Sequence, residues 1–344
     1  MLLSVCLATF NEEENIGDCL QSVKDLADEI VVVDGSSSDK TVEIAKKFGA
    51  KIIITKNEKN FHINKQKAIN QAQGEWILQL DADERVTPEL AGEIKKVICM
   101  SQEEIEKYQK NLPERELFIR HQSLTNPKSE YRNSKQIINS NDQNSKQKSF
   151  EHFKFGSLDL LRTSDLEIRI CKDFSAFYIP RKNYFLGKFL RYGGVYPDGV
   201  IRLIRKGKAR LPCKDVHELM EVDGKTGWLQ NPLLHFDSPT FKRYLERNSR
   251  YVDLLAGELF CSIKHKTGNT KENKKNLLPH VTCYMLHIKT FIDWAIIRPI
   301  GWFLATTLIH KGVLDGWQGI VFSFFSALRF PRAYWGYIRH HKLR

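Results

Sequence analysis

Two aspartates, Asp81 and Asp83, are the residues whose types and spacing most directly suggest chemistry. They follow an apolar run, 76–80, with one residue between them. Alternate residues of an extended chain point the same way and hard cations prefer oxygen ligands, so the two carboxylates can share one ligand. The spacing favours Mg²⁺ or Mn²⁺ held between them and a diphosphate, although a lone triplet of this kind also occurs where a strand simply ends in a polar loop.

Alternating strand and helix signals in the first hundred residues position these aspartates. Four apolar runs predict strands: 2–9, 30–33, 51–55 and 75–80. Helical spacing predicts three helices between them: 13–26, 40–48 and 64–72. Another helix is expected to begin at Pro88, with Thr87 as its N-cap. Such alternation indicates a parallel sheet with right-handed crossovers.

Polar loops follow the first, second and fourth predicted strands, at 11–12, 34–39 and 81–84, and should gather at one edge of the sheet. A nucleotide site there would use carboxylate and amide acceptors for base and ribose, backbone N–H groups for phosphate, and a metal for the diphosphate. The sequence contains neither G-x-G-x-x-G nor G-x-x-x-x-G-K-[ST]. Their absence argues against a dinucleotide-binding fold and a P-loop kinase.

Composition sets the broad class. The chain has 344 residues, of which 42% are hydrophobic, enough for one large domain with additions or for two domains. Its formal charge of +12 indicates an anionic partner: nucleic acid, a membrane surface or a phosphorylated substrate. Seven cysteines without a C-x-x-C pair favour a reduced compartment and argue against zinc. The apolar N-terminus lacks basic residues and is expected to be the first strand, not a signal peptide.

Three segments, 4–12, 31–41 and 81–83, together resemble family 2 glycosyltransferases, which have the GT-A fold. The resemblance implies an inverting transferase that uses a nucleotide-diphosphate sugar. It makes Asp81 a ribose position and Asp83 a metal position. It assigns nucleotide binding to five further residues: Thr9, Asn11, Glu12, Asp34 and Lys65.

A second stretch, 174–251, is similar to a subgroup of the same family that includes the lipopolysaccharide core β-1,4-glucosyltransferases. Three short motifs carry the similarity: Tyr196-Pro197-Asp198, Arg202-Leu203-Ile204-Arg205 and Val216-His217-Glu218. The subgroup tends to have Phe where this chain has Ile204.

An inverting transfer needs one base to take the proton from the acceptor hydroxyl. Glu218 is the predicted base because it follows a histidine on a segment that leads back towards the sheet edge, and Asp198 is the second choice. Arg202, together with the metal at Asp83, is expected to balance the charge of the leaving diphosphate. His217 is a candidate for a further metal ligand, although a packed or hydrogen-bonded histidine fits the sequence equally well.

We expect four regions. Residues 1–100 form the nucleotide-sugar-binding half of the catalytic domain, and 165–240 form the acceptor and catalytic half. Residues 101–164, rich in Asn, Gln, Ser and Lys, form a polar insertion expected to be disordered. Residues 241–344 form a helical, basic and aromatic C-terminal region. Within the third region, His235 is expected to be a satisfied core histidine.

The C-terminal region contains an apolar stretch, 291–309, that could span a bilayer only if Asp293, Arg298 and Pro299 were tolerated. Charges near the middle of a span are costly, so a helix lying in the membrane interface fits better. Cations and aromatic residues around the chain end favour peripheral membrane contact over an ordinary buried helical subdomain.

The predicted fold class is therefore α/β, a GT-A nucleotide-diphospho-sugar transferase fold with a mostly parallel central sheet flanked by helices and a helical, membrane-facing C-terminal extension. The predicted function is transfer of a sugar, with Mg²⁺ or Mn²⁺, to a saccharide or lipid-linked glycan in cell-envelope polysaccharide or lipopolysaccharide core synthesis. The expected location is cytoplasmic, peripheral to the inner face of the cell membrane.

Two alternatives stay open. A polyprenyl-phosphate sugar transferase would share the N-terminal motifs, but its acceptor oxygen is already ionised and needs no strong base. A non-catalytic GT-A-like module associated with the membrane is the other alternative. Nucleic acid is not expected as a partner, because no recognition motif accompanies the positive charge.

Overall fold

A computed structural model describes residues 1–112, 173–213, 219–268 and 288–342. The chain divides into two compact units. Unit 1 comprises Met1–Lys182 and Pro197–His235, and unit 2 comprises Asn183–Tyr196 and Phe236–Arg344. The expected C-terminal region therefore begins a few residues before 241, and it also recruits a short segment from the middle of the chain.

The N-terminal half of unit 1 alternates strands and helices as expected. Its first four strands are β1 (Leu3–Thr9), β2 (Glu29–Asp34), β3 (Lys51–Ile54) and β4 (Trp76–Leu80). Its helices are α1 (Ile16–Val23), α2 (Thr41–Lys47), α3 (Phe61–Gln71), α4 (Pro88–Ile98) and α5 (Gln102–Lys110). Local signals fix several of these ends: the Thr87 hydroxyl accepts the Leu90 N–H at 3.1 Å before Pro88, and Gly49 adopts a φ of +72° after α2.

Helix α5 corrects the expected start of the polar insertion at residue 101. Ser101 and Glu104 form a capping box, in which the Ser101 hydroxyl accepts the Glu104 N–H and the Glu104 carboxylate accepts the Ser101 N–H. Ile105 is fully buried in the core of unit 1. The helix is therefore part of the packed domain, and most of the expected insertion, from 113 onward, lies outside the described residues.

The remaining strands are β5 (Glu84–Val86), β6 (Phe174–Phe185), β7 (Lys188–Phe189), β8 (Asp198–Arg205), β9 (Ala209–Arg210), β10 (Glu221–Val222), β11 (Lys225–Trp228) and β12 (Leu233–Ser238). The main sheet has the order β3-β2-β1-β4-β8-β6-β12-β5. Strands β3, β2, β1 and β4 are parallel, whereas β8 runs antiparallel to both β4 and β6. The sheet is thus mixed instead of mostly parallel, because β6 and β8 are joined by a short connection instead of a helical crossover.

The core of unit 1 lies on both faces of this sheet. One cluster joins the inward side chains of β1 and β4 to α1 and α4, including Leu7, Leu20, Leu78 and Leu90. A second cluster packs α3 on the opposite face, with Cys6, Val33 and Ala68. Every residue of β4 is buried, as expected for a strand covered on both sides. The strand is therefore held rigidly up to the residue before Asp81.

Unit 2 is mainly helical. Its elements include α6 (Phe241–Gly268), α7 (Arg298–Leu304), α8 (Trp317–Ala327) and α9 (Arg329–Lys342). A π-helical turn lies on each side of α7, at Asp293–Ile297 and Ala305–Ile309, and a 3-10 turn follows at Gly312–Asp315. Helix α6 packs on α9 through two apolar clusters, one around Leu259 and Tyr337 and one around Ala256 and Ala333.

One helix in the described part of the chain, Ile288–Ile309, has the length and apolar composition needed to cross a membrane. Only 11% of its most apolar stretch is buried within the protein.

Candidate functional site

The predicted edge of polar loops forms at the carboxyl ends of β1, β2 and β4. Parallel pairing sets Thr9 opposite Asp34, and Leu7 opposite Leu80, the residue before Asp81. Because β1 lies between β2 and β4, these three strand ends lie side by side. Open α/β sheets bind ligands at this edge.

Asp34, at the end of β2, is fully buried, and its carboxylate is satisfied by neighbouring donors. The Thr9 hydroxyl donates to Asp34 Oδ2 at 2.9 Å. Ser37 donates its backbone N–H to Oδ1 at 2.8 Å and its hydroxyl to Oδ2 at 2.6 Å. A buried carboxylate needs such donors, so Thr9 and Ser37 satisfy the Asp34 carboxylate and fix its orientation.

Asn11 and Glu12 tie the loop after β1 to the loop after β2. Asn11 adopts a φ of +52°, its N–H donates to the Ser37 hydroxyl at 2.8 Å, and its Oδ1 accepts the Ser38 N–H at 2.9 Å. The Glu12 N–H donates to the Thr41 hydroxyl at 2.8 Å. The predicted nucleotide-binding residues of the first two loops therefore form one hydrogen-bonded cluster.

Asp81 lies between two cations. Lys65 Nζ approaches one carboxylate oxygen at 2.5 Å, and Arg202 Nη2 approaches the other at 2.6 Å. Burial alone would raise the pKa of Asp81, but the charges of Arg202 and Lys65 outweigh it and hold the pKa well below its ordinary value. Asp81 is therefore an ionised carboxylate, and both of its oxygens already have cationic partners.

Glu84 connects Asp81 to the second half of the site. It has no exposed surface; its carboxylate accepts the Asp81 N–H at 2.9 Å and contacts Arg202 at 2.7 Å and Arg181 at 3.5 Å. Arg181 in turn donates from Nε and Nη2 to Asp198 Oδ2, at 3.0 and 2.5 Å. A chain of alternating charges thus runs from Asp81 to Asp198.

Arg202 lies within this chain, and 7% of its surface is exposed. Besides its two carboxylate partners, its Nη1 donates to the Gln79 side chain. Burial tends to lower the pKa of Arg202, but the carboxylates of Asp81 and Glu84 raise it above the ordinary value. The structure therefore places Arg202 against carboxylates, where it neutralises buried charge.

Asp83 approaches His235, with Oδ2 and Nε2 3.5 Å apart. Two ligand atoms at right angles, each about 2.1 Å from one Mg²⁺, would lie about 3 Å apart. The pair therefore fits a divalent cation after a small adjustment, with the remaining positions left to phosphate oxygens and water. Within the described ranges, no cluster of three or more His, Cys, Asp or Glu side chains is arranged to hold a metal by itself.

Two predicted site residues, Glu218 and His217, fall in 214–218, outside the described residues. The structure adds four polar residues that the sequence analysis did not assign to the site: Gln79, Glu84, Arg181 and His235. Glu84 could have been found, because it directly follows the two aspartates. His235 was expected in the core and is indeed buried, but nothing near it in sequence indicates that it faces Asp83.

Comparison with known proteins finds similarity to the family that the sequence motifs resemble. Residues 4–166, just under half of the chain, match glycosyl transferase family 2. An uncharacterized glycosyltransferase of Rickettsia typhi is 39% identical over 97 residues, which are 28% of this chain and 33% of that protein. One from Rickettsia bellii is 36% identical over 127 residues, 37% of this chain and 41% of that protein. The match thus spans well under half the length of either relative.

A crystal structure of S. aureus TarS in complex with UDP-GlcNAc is 29% identical, covering 28% of this chain and 31% of that one, with a TM-score of 0.27. A TM-score of 0.27 is too low to establish a common fold. The family match and the mixed α/β sheet agree with a GT-A-like architecture, and the lipopolysaccharide core subgroup receives no support. Residues 4–166 of this chain are thus similar to the glycosyl transferase family 2 domain.

Proposed function

We propose that this chain is a metal-dependent inverting glycosyltransferase that moves a sugar from a nucleotide-diphosphate donor to a saccharide or lipid-linked glycan. The observation that carries the proposal is the arrangement at the sheet edge, with Asp81 between Lys65 and Arg202 and Asp83 beside His235. This arrangement offers a fixed carboxylate for a ribose hydroxyl, a carboxylate and imidazole pair for a cation, and positive charge beside them.

The donor nucleotide would lie over the loops after β1 and β2. Thr9, Asn11, Glu12 and Asp34 line this cluster, and their side chains are already held by hydrogen bonds, that of Glu12 by the Asn15 amide. Such pre-ordered groups bind a ligand without a large loss of side-chain freedom. Lys65 is the cation of choice for the diphosphate, since an ammonium on a flexible stem can leave Asp81 more easily than the buried Arg202 can.

Asp83 and His235 would hold the divalent cation, Mg²⁺ or Mn²⁺, which would supply positive charge to the leaving diphosphate. His217, the ligand suggested by the sequence, stays a further candidate. In this arrangement Asp81 orients the sugar nucleotide: the oxygen that Lys65 leaves would accept the ribose hydroxyl, while the other oxygen keeps its contact with Arg202.

Glu218 is the proposed base for the acceptor hydroxyl. Asp198, the second choice, has one carboxylate oxygen in contact with Arg181, a contact that would have to loosen before that oxygen accepts a proton. A polyprenyl-phosphate acceptor is the main alternative, since its ionised oxygen needs no base. Retained transfer in Glu218→Gln would favour that alternative.

The acceptor and location are further parts of the proposal. The similarity of residues 174–251 to lipopolysaccharide core transferases suggests a cell-envelope glycan as acceptor. A lipid-linked acceptor would bring the enzyme to a membrane, so we place it at the cytoplasmic, inner face. A non-catalytic module is less well supported, because both Asp81 and Asp83 are present at the sheet edge.

The first experiment measures binding of a panel of nucleotide-diphosphate sugars, with and without Mn²⁺, by calorimetry. We expect one donor to bind the wild type in a metal-dependent way, Asp83→Ala to lose that binding and His235→Ala to weaken it. Asp18→Ala, which removes a carboxylate that is 82% exposed, is the matched control and should bind normally. Absence of binding by the wild type to every donor under both conditions would refute the transferase and favour the membrane-associated module.

A further inference from the structure

Unit 2 exposes a regular row of apolar side chains along the helix Ile288–Ile309. We call it the apolar stripe, and it consists of Ile288, Ile292, Ile296, Ile300, Leu304 and Leu308, each separated from the next by four residues. All six are exposed, from 38% for Ile288 to 63% for Leu308. A soluble protein seldom leaves such a contiguous apolar surface uncovered, so the stripe indicates a binding face.

The two π-helical turns explain why the stripe stays on one side. In a regular α-helix a spacing of four residues drifts by about 40° at each step, so the row would wind about 200° around the helix. Each π turn closes with an N–H to C=O bond five residues apart, from Arg298 to Asp293 and from His310 to Ala305. Each thereby takes up an extra residue and returns the row to the same face.

Further exposed apolar residues follow the helix in sequence. Val313 and Leu314 lie in the following 3-10 turn, and Trp317 begins α8, all of them largely exposed. The turn is anchored by Asp315, which is buried and accepts the N–H groups of Arg191 and Tyr192. The turn therefore holds Val313 and Leu314 on a fixed backbone.

The other side of the helix packs within unit 2. The Trp302 indole donates to the Ser326 hydroxyl at 2.9 Å, and its ring lies 4.2 Å from the Arg329 guanidinium. Arg332 donates to the Ser249 hydroxyl of α6. If the helix crossed a bilayer, Arg329 would lie beside Trp302, near the middle of the span, which is costly for a cation. The packing therefore favours a helix that lies in the plane of the interface.

Charge distinguishes a lipid surface from a second copy of this chain. The one acidic residue in the helix, Asp293, is paired with Arg298 at 2.7 Å. Lys289 and Lys311, one near each end, are exposed. Two positively charged faces would repel each other, whereas anionic lipid headgroups complement them.

We propose that the apolar stripe and the turn after it bind the interface of an anionic phospholipid bilayer, with the helix parallel to the membrane plane. The inference stands independently of sugar transfer, because it concerns residues of unit 2 alone. Its test likewise needs no donor, acceptor or activity.

The experiment compares sedimentation of the full chain with vesicles of phosphatidylcholine and with vesicles of an equal mixture of phosphatidylcholine and phosphatidylglycerol. We expect binding to the mixed vesicles to be more than about tenfold tighter. Replacing Ile300 and Leu308 together with Glu should weaken it at least about tenfold. Ile54→Glu is the matched control, since Ile54 is 57% exposed on β3 and Ile300 is 56% exposed; it should bind like the wild type.

Two outcomes would overturn membrane binding by the apolar stripe. One is equal binding of the wild type and the double variant. The other is a lipid-free dimer, measured by analytical ultracentrifugation, that the double variant disrupts, because the stripe would then cover a second copy. The depth of the helix in the bilayer is tested by quenching of tryptophan fluorescence with brominated lipids. The part of the quenching that Trp317→Phe removes should be stronger for lipids brominated near the headgroup than for lipids brominated deep in the acyl chains. The reverse order would rule out the in-plane arrangement.

Discussion

Glu84 has no contact with solvent, yet it touches two arginines and the backbone of Asp81. Burying one carboxylate and two guanidinium groups is costly unless the charges compensate each other. Asp81 and Asp198 supply the further negative charge on either side. The network therefore fixes the position of the first aspartate of the pair by electrostatics as well as by the end of β4.

Replacing Glu84 with Gln removes the central negative charge while keeping the shape of the side chain. We expect the free energy of unfolding to fall by about 3 kcal/mol, because Arg181 and Arg202 stay buried with less compensation. Urea denaturation measures the change. Glu89→Gln, the same change at an exposed position of α4, should leave stability nearly unchanged. Equal stability of the two variants would show that Glu84 does not hold the network.

Asp81 should make the free energy of unfolding depend on pH in the acid range. Because its folded pKa lies below the unfolded value, its contribution is present above about pH 4 and is lost as the pH falls through the folded pKa. We expect the stability difference between the wild type and Asp81→Asn to be constant from pH 7 to about pH 5 and to shrink towards pH 3. Urea denaturation across this range gives the difference, and a constant value at every pH would contradict the assignment.

Only some of the residues of the site can be predicted from the sequence. Asp34, Asp81 and Asp83 were predicted because each follows an apolar run, a signal that depends on adjacent residues alone. The approach of His235 to Asp83, and of Arg202 to Asp81, depends on which strands pair across the sheet. No local pattern carries that information, so these contacts were not predicted.

The same distinction applies to secondary structure elements. Helix α4 was predicted with its cap because Thr87 and Pro88 give a strong local signal. Helix α5 was missed although Ser101 and Glu104 have capping-box spacing, because the polar composition of the following residues outweighed that signal. The antiparallel placement of β8 and the two π turns follow from packing, which the sequence alone does not reveal.

Helix α8 crosses the turn before it at Gly319. A Cβ at this position would collide with the Gly312 carbonyl oxygen and lie 2.8 Å from Asp315 Cβ. We expect Gly319→Ala to destabilise the protein by about 1–3 kcal/mol, because overpacking forces the backbone to shift. Gly301→Ala, on α7, is the control: nothing lies within 4 Å of its Cβ, and Ala favours a helix.

Thermal unfolding measures both glycine variants. Gly319→Ala should lower the melting temperature, whereas Gly301→Ala should leave it unchanged or raise it slightly. If Gly319→Ala melted like the wild type, the close crossing of α8 and the turn would not be tight. The shape of the turn that carries Val313 and Leu314 would then need another explanation.

At the scale of the whole molecule, the formal charge of +12 must be reconciled with the apolar stripe. Positive charge alone would give binding to any polyanion, and high salt would abolish that binding. An apolar face alone would give binding that does not depend on the salt concentration. The two together predict a mixed response. Between low and high sodium chloride, binding to the phosphatidylcholine and phosphatidylglycerol vesicles should weaken several-fold and then level off at a residual affinity.

Lys311→Glu separates these two contributions. It should reduce the salt-dependent part, because it reverses one exposed charge beside the stripe, and it should leave the residual affinity at high salt in place. The double Glu variant at Ile300 and Leu308 should instead abolish the residual part. Vesicle sedimentation over a salt series measures both terms. Complete loss of wild-type binding at high salt would mean that charge alone brings the chain to the lipid and that the exposed stripe does not enter it.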